Sequence, residues 1–264
     1  MLQQRIKEFI VNSVSIFLVS SLLAFSCGTQ QKNIASIEAV APVKVGEVGS
    51  DSLRSIRIID NTSLKSLRGV VRDLSLVINE PGFQEKFPLG KEGLTVYLHD
   101  FICSRFTISA TVMNSFSATT FNVKINKFNA QAEDKALAAT LIHEIMHCVL
   151  LNIYRRAQKL DEQAFNSIIS FGLNKDNASN FFDLMNEGET GSHELMYCLF
   201  YPQMVLILER FAEIHKQTLD TKEAEFLMWS GLQYTDAYRK LSEERRGDIE
   251  FAILTAKGFE IERN

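Results

Sequence analysis

The chain is poor in the residues that would commit it to several common roles. Its 264 residues include only 4 cysteines, at positions 27, 103, 148 and 198. They are too few and too scattered to organise a fold through disulfides. The formal net charge is −4 and no block is dense in Lys and Arg, so nothing in the composition favours holding nucleic acid. There is no Gly-x-Gly-x-x-Gly run and no Gly-Lys-Ser/Thr loop, which leaves a nucleotide phosphate site without its usual backbone cradle. No internal repeat is present. Histidine is scarce too, with 5 in the chain, so the placement of each one is informative.

What is present is an ordinary globular mix. Apolar residues make up 46% and charged residues 23%, enough apolar material for a real core. The length fits one domain of about 150–200 residues with additions. The additions lie at the N-terminus. Arg5 and Lys7 precede the apolar run IVNSVSIFLVSSLLAF, which closes on Ser26 and Cys27. A positive start, an apolar middle and a small residue at the end form an export signal. The run is short and serine-rich for a membrane span, which wants about 20 predominantly apolar residues. Residues 27–55 are small, polar and aperiodic, and read as a flexible tether. Residues 56–264 are the folded domain.

Within that domain, Leu64, Leu67, Val71, Leu74 and Ile78 recur at helical spacing, predicting a helix over 63–79 that stops at Pro81-Gly82. LTVYL (94–98), TISATV (107–112) and FNVKI (121–125) are β-prone. In the last, Phe121, Val123 and Ile125 alternate with Asn122 and Lys124, predicting a strand with one covered face. A long helix follows over 131–156. Polar sequence from 172 to 192 reads as a loop, and helices are expected over 193–216 and 221–242. Pro202 falls inside the first of these, as a kink or as the first residue of a second helix. The expected class is α+β: a small early sheet, a long helix, and a helical C-terminal half.

The long helix carries LIHEIMHCVL, residues 141–150. His143 and His147 are one turn apart, so their imidazoles can converge on one ion, and Glu144 flanks them. Two neutral nitrogens to hold zinc and a carboxylate to take a proton from the attacking water are what zinc hydrolysis requires. The bland alternative is a core helix with two histidines, which would need polar partners for both rings. Cys148 is expected to be packing, and Cys198 likewise in its own helix.

A catalytic zinc takes a third protein ligand and keeps one position open. His193, Glu194, Glu162 and His215 are the candidates. His193 is favoured because it stands where the polar stretch meets an apolar helix, with Ser192 as a credible N-cap. Tyr197 lies one helical turn past His193 and could supply a hydroxyl to a developing oxyanion; a packed tyrosine is the plainer role. Trp229, Tyr234 and Tyr238 recur at helical spacing and are expected to close the core against the motif helix.

Two resemblances sharpen these expectations. Leu23-Ala24-Phe25-Ser26-Cys27 resembles a bacterial lipoprotein signal, which implies lipidation of Cys27 and a membrane-anchored protein of the cell envelope. Gly28 stands where an inner-membrane retention signal commonly has Asp, which favours the outer membrane, facing the periplasm. His143-Glu144-Ile145-Met146-His147 resembles the zincin metallopeptidase motif. With ALAATLIHEIMH, SHELMYCLFY and LMWSGLQYTDAY, the chain looks like secreted bacterial proteins with a minimal zincin core. That resemblance implies His143, His147 and His193 as zinc ligands, Glu144 as general base, and a peptide or protein substrate. Leu150 and Ile153 occupy the places of the Gly and the last His in the extended metzincin motif, so that class is not matched. TTFNVKINKFNA resembles the edge strand of such enzymes, which could capture an extended peptide through its backbone.

Two other readings remain at this point. One is a zincin-fold lipoprotein without activity, acting as a binding or structural module. The other is a helical di-iron protein, since Glu144 to His147 also satisfies Glu-x-x-His, but that site needs a second copy that the chain lacks.

Overall fold

The computed structural model describes residues 55–87, 89–90, 92–102, 110–113, 117–127, 132–159, 161, 164 and 175–258. The expected export signal 1–26, residues 27–54 of the expected tether with the lipidation candidate Cys27, Cys103 and the ligand candidate Glu162 lie outside the described residues.

Among the described residues, alternating apolar side chains build a sheet of four strands. These are β1 (Ile56–Asp60), β2 (Leu94–Phe101), β3 (Ala110–Met113) and β4 (Thr120–Asn126), in the order β1-β2-β4-β3. β1, β2 and β4 are parallel, and β3 lies antiparallel on β4. Leu94, Val96 and Leu98 of β2, with Phe121, Val123 and Ile125 of β4, are at most 1% exposed. Val96 pairs with Phe121 and Leu98 with Val123. A slip of one residue would turn this whole apolar row to the other face, so the register is strongly specified.

β1 has too short an alternation to announce itself, and it was not expected. Its place comes from pairing with β2 and from Asn79 at the end of the first helix. The Asn79 amide accepts from Ile56 N at 2.9 Å and donates to Ile56 O at 2.8 Å, gripping the first residue of the strand.

The helices among the described residues are α1 (Lys65–Ile78), α2 (Pro81–Gln84), α3 (Asp134–Gln158), α4 (Lys175–Asn186), α5 (Glu189–His215), α6 (Thr221–Met228), α7 (Asp236–Arg239) and α8 (Glu243–Ala256). The five apolar positions predicted for α1 are all buried, and α1 rests on β1, α3 and α5. α3 is favoured by the alanines from 136 to 139, by Asp134 in its first turn and by Arg155 and Arg156 in its last. It is fastened beside the sheet: Arg155 Nη1 donates to Ser117 O at 2.7 Å, and Asn152 Nδ2 to Ala118 O. The Arg155 guanidinium also sits 5.1 Å above the Phe121 ring. A small sheet, the motif-bearing helix and a helical C-terminal half make up a minimal zincin-like α+β fold.

Several expectations change. β4 is not an edge: β2 and β3 occupy both of its sides, so its backbone is unavailable to an extended peptide. Alternation reports a half-buried face, not whether a strand has neighbours. Much of the polar stretch 172–192 is helix, because Phe181 and Met185 give α4 a buried stripe despite its polar composition. α5 therefore starts at Glu189, and Pro202 neither ends it nor begins a second helix. The helix expected over 221–242 stops at Met228, where Gly231 turns the chain at φ +88°. Thr235 then caps α7, and Ser242 caps α8, which was not expected. Trp229 and Tyr238 are buried as predicted, but Tyr234 is 70% exposed. Cys148 is core packing, whereas Cys198 faces solvent.

Candidate metal centre

α3 carries His143, Glu144 and His147, and α5 brings His193 to them in its second turn. His147 Nε2 lies 3.1 Å from His143 Nε2 and 3.0 Å from His193 Nε2. All three ligand atoms fall within 4.8 Å of one another. The ring centroids are 4.8, 4.9 and 5.0 Å apart. His143 and His193 are buried, and His147 is the partly exposed member.

Hydrogen bonding cannot satisfy this triangle. The Nε2 of a neutral imidazole either donates one proton or accepts one, so His147 can serve only one of its two neighbours. One cation can take all three lone pairs. In a tetrahedral site with zinc–nitrogen bonds of about 2.0–2.1 Å, neighbouring nitrogens stand about 3.3 Å apart. The observed 3.0 and 3.1 Å are close to that edge.

The electrostatics keep the lone pairs available. Burial, helped by His147, His193 and Lys257, pushes His143 well below the usual histidine range. His147 is lowered to about 3, by burial and then by His193. His193 is lowered by burial, with Glu189 opposing. Three neutral nitrogen donors in a dry setting fit zinc.

Glu144, which follows His143 on α3, is buried at 7% exposure. Burial first, and Glu189 second, raise its carboxyl to about 8. Glu189 was not singled out from sequence. It lies one helical turn before His193, and that spacing would have shown it had α5 been started at 189.

Ser192 has a different role from the one expected. The N-cap of α5 is Gly188, so Ser192 is inside the first turn. Its hydroxyl donates to Glu189 O at 2.9 Å and meets His147 Nδ1 at 3.4 Å. Accepting the Nδ1 proton there selects the tautomer that leaves the Nε2 lone pair facing its partners.

The other ligand candidates go elsewhere. Glu194 accepts the N–H of Asp236 at 2.5 Å. His215 is bound between Asp73 and Asp134. Tyr197 stacks on Trp229, with centroids 5.1 Å apart and planes at 23°, and also meets Tyr201. Among the described residues, His143, His147 and His193 are the one group placed to hold a metal ion.

No protein-family model matches the sequence, and comparison with curated proteins and with solved structures gives no match. The functional reading therefore stands on the geometry of the site.

Proposed function

We propose that the protein is a zinc-dependent hydrolase of peptide bonds. The observation that carries this reading is the convergence of His143, His147 and His193, with the buried Glu144 next to His143 on α3. Zinc held there supplies a Lewis acid that polarises a peptide carbonyl and acidifies a water. Glu144 would be favoured in its ionised form by a cation held by the three imidazoles, and would then take a proton from the attacking water and return it to the leaving nitrogen. Burial of His143 and Glu144 excludes bulk water from this exchange, while the partly exposed His147 marks the approach from solvent. Tyr197 is the candidate hydroxyl donor to the oxyanion, and its stacking on Trp229 limits the directions that hydroxyl can take. The substrate class proposed is a peptide or protein.

The test is Glu144→Gln, which keeps the shape of the side chain and removes the base. Zinc content by mass spectrometry should be unchanged, and cleavage of a mixed peptide library should fall roughly 10²–10⁴-fold at matched zinc occupancy. Equal cleavage by both proteins, or none by a fully loaded wild type, would sink the peptidase reading and leave a zinc-binding module.

We further propose that the domain is carried on a lipid anchor at Cys27; the sequence that supports this is the apolar run with a positive start that closes on Ser26 and Cys27. Cys27→Ser should yield an unlipidated precursor or a soluble product. A wild-type chain that retains its first 26 residues, or carries no lipid by mass spectrometry, would refute the anchor.

A further inference from the structure

His143 and His147 are held by different means. His147 Nδ1 meets the Ser192 hydroxyl, whereas His143 Nδ1 is buried without a hydrogen-bond partner among the described residues. A metal-ligating imidazole ordinarily takes its orientation from a hydrogen bond at its second nitrogen. Something else must orient His143.

The turn between α6 and α7 supplies a contact. A Cβ on Gly231 would lie 2.5 Å from His143 Cε1, 2.9 Å from Nε2 and 3.0 Å from Nδ1. The backbone of Gly231 is therefore pressed against the imidazole itself. Two demands coincide at this residue: φ is +88°, and there is no space for a methyl group. The turn is also firmly held. Gly231 N–H donates to Gln233 Oε1 at 2.9 Å, Leu232 N–H to Trp229 O at 2.8 Å, and Thr235 Oγ1 to Leu232 O at 2.8 Å. Trp229 and Leu232 flank Gly231 and are buried, so the turn cannot lift without exposing both.

We propose that Gly231 is a positioning residue for the metal centre: its backbone sets the orientation of the His143 ring where no hydrogen bond does. The proposal rests on the reading of His143, His147 and His193 as zinc ligands. A methyl at Gly231 has to push the ring away by about 1 Å to reach ordinary contact near 3.5 Å. Metal sites tolerate departures of only about 0.2 Å in ligand distance. The displaced ring leaves the triangle with His147 and His193.

The test uses the full chain and zinc alone, with affinity measured by competition against a chromogenic chelator. Gly231→Ala is compared with Gly188→Ala, a glycine at φ +76° whose Cβ would meet nothing within 4 Å. Both variants carry the backbone penalty of a positive φ, but only one touches a ligand. Gly231→Ala should bind zinc about 10–100-fold more weakly. Gly188→Ala should keep wild-type affinity, with a comparable drop in the melting temperature of the metal-free protein.

A second measurement is independent of zinc. The imidazole nitrogen resonances of metal-free His143 should move in Gly231→Ala and stay in place in Gly188→Ala. Wild-type affinity in Gly231→Ala, equal losses in both variants, or unmoved His143 resonances would each overturn the proposal. A wild type that takes up no zinc refutes the ligand reading, while the resonances still report on the contact itself. If Gly231→Ala does not fold, Gln233→Leu removes the acceptor for Gly231 N–H and adds nothing above the ring. It should weaken zinc binding by up to about tenfold, and wild-type affinity in it would count against the proposal.

Discussion

The two ends of α5 each hold a histidine, and their surroundings have opposite chemistry. Near the start of α5, His193 meets His143 and His147 of α3, and among the described residues no acid hydrogen-bonds to their facing nitrogens. At the end of α5, His215 has an acid at each ring nitrogen. Its Nδ1 lies 2.6 Å from Asp73 Oδ2 and its Nε2 2.9 Å from Asp134 Oδ2. Two acceptors require two protons, so His215 is an imidazolium. Burial opposes that charge, but the hydrogen bonds and charges of Asp134 and Asp73 outweigh it and raise His215 above its usual range. Phe211 stacks on the ring, with centroids 4.9 Å apart. The lesson is that the neighbours at the ring nitrogens decide what a histidine offers. One group offers lone pairs and the other offers protons, and only the first can hold a metal.

Alanine at one member of each group should separate the two roles most sharply. His147→Ala should abolish zinc binding while the metal-free protein stays folded by circular dichroism. His215→Ala should leave zinc affinity intact. Loss of zinc from His215→Ala at a temperature where it is folded would break the division.

His215→Ala should instead destabilise the fold by about 1.5–3 kcal/mol, the usual worth of hydrogen bonds to charged groups. It leaves the Asp73 carboxylate, its side chain 6% exposed, with the exposed Arg72 as its one remaining partner among the described residues. The pH dependence has a defined sign. His215 is raised from 6.5, so its contribution is complete below that pH and is lost as pH climbs through the higher folded value. Arg72, with His215 adding, holds Asp73 below its usual 3.8 against the effect of burial. That contribution is complete above 3.8 and is lost as pH falls through the lower folded value. The stability gap between wild type and His215→Ala should therefore be widest between about 4 and 6.5, and should narrow on both sides. Urea denaturation across a pH series measures it. A gap that stays constant from acid to alkaline pH would contradict the imidazolium.

The smallest effect concerns the hydroxyl that orients His147. Ser192→Ala should weaken zinc binding by about tenfold, the lower end of what an outer-shell partner contributes. Calorimetric titration with zinc gives the number. An unchanged affinity would mean that packing alone orients His147, as is inferred for His143 beside Gly231.

Much of this molecule is legible along the chain because the signals are local. The stripe of α1, the alternation of β2 and β4, and the one-turn spacing of His143 and His147 are each properties of a single element. Elements with weak or mixed patterns were not legible. β1 is too short to stand out, α4 hides its apolar stripe in polar sequence, and Gly231 ends what its composition suggested was a continuing helix.

The sequence by itself determined that two imidazoles and a carboxyl share one turn of an apolar helix, since helical geometry alone sets that relation. Tertiary structure decided which residue joins them. His193, Glu194 and His215 are all on α5, and only the way α5 lies against α3, α7 and α1 sends the first to His143 and His147, the second to Asp236 and the third to two aspartates. Those contacts span 46, 42, 142 and 81 residues of chain. No periodicity within one element can encode them. They depend on how buried faces from several elements fit together, and so does the pressure of the Gly231 backbone on His143.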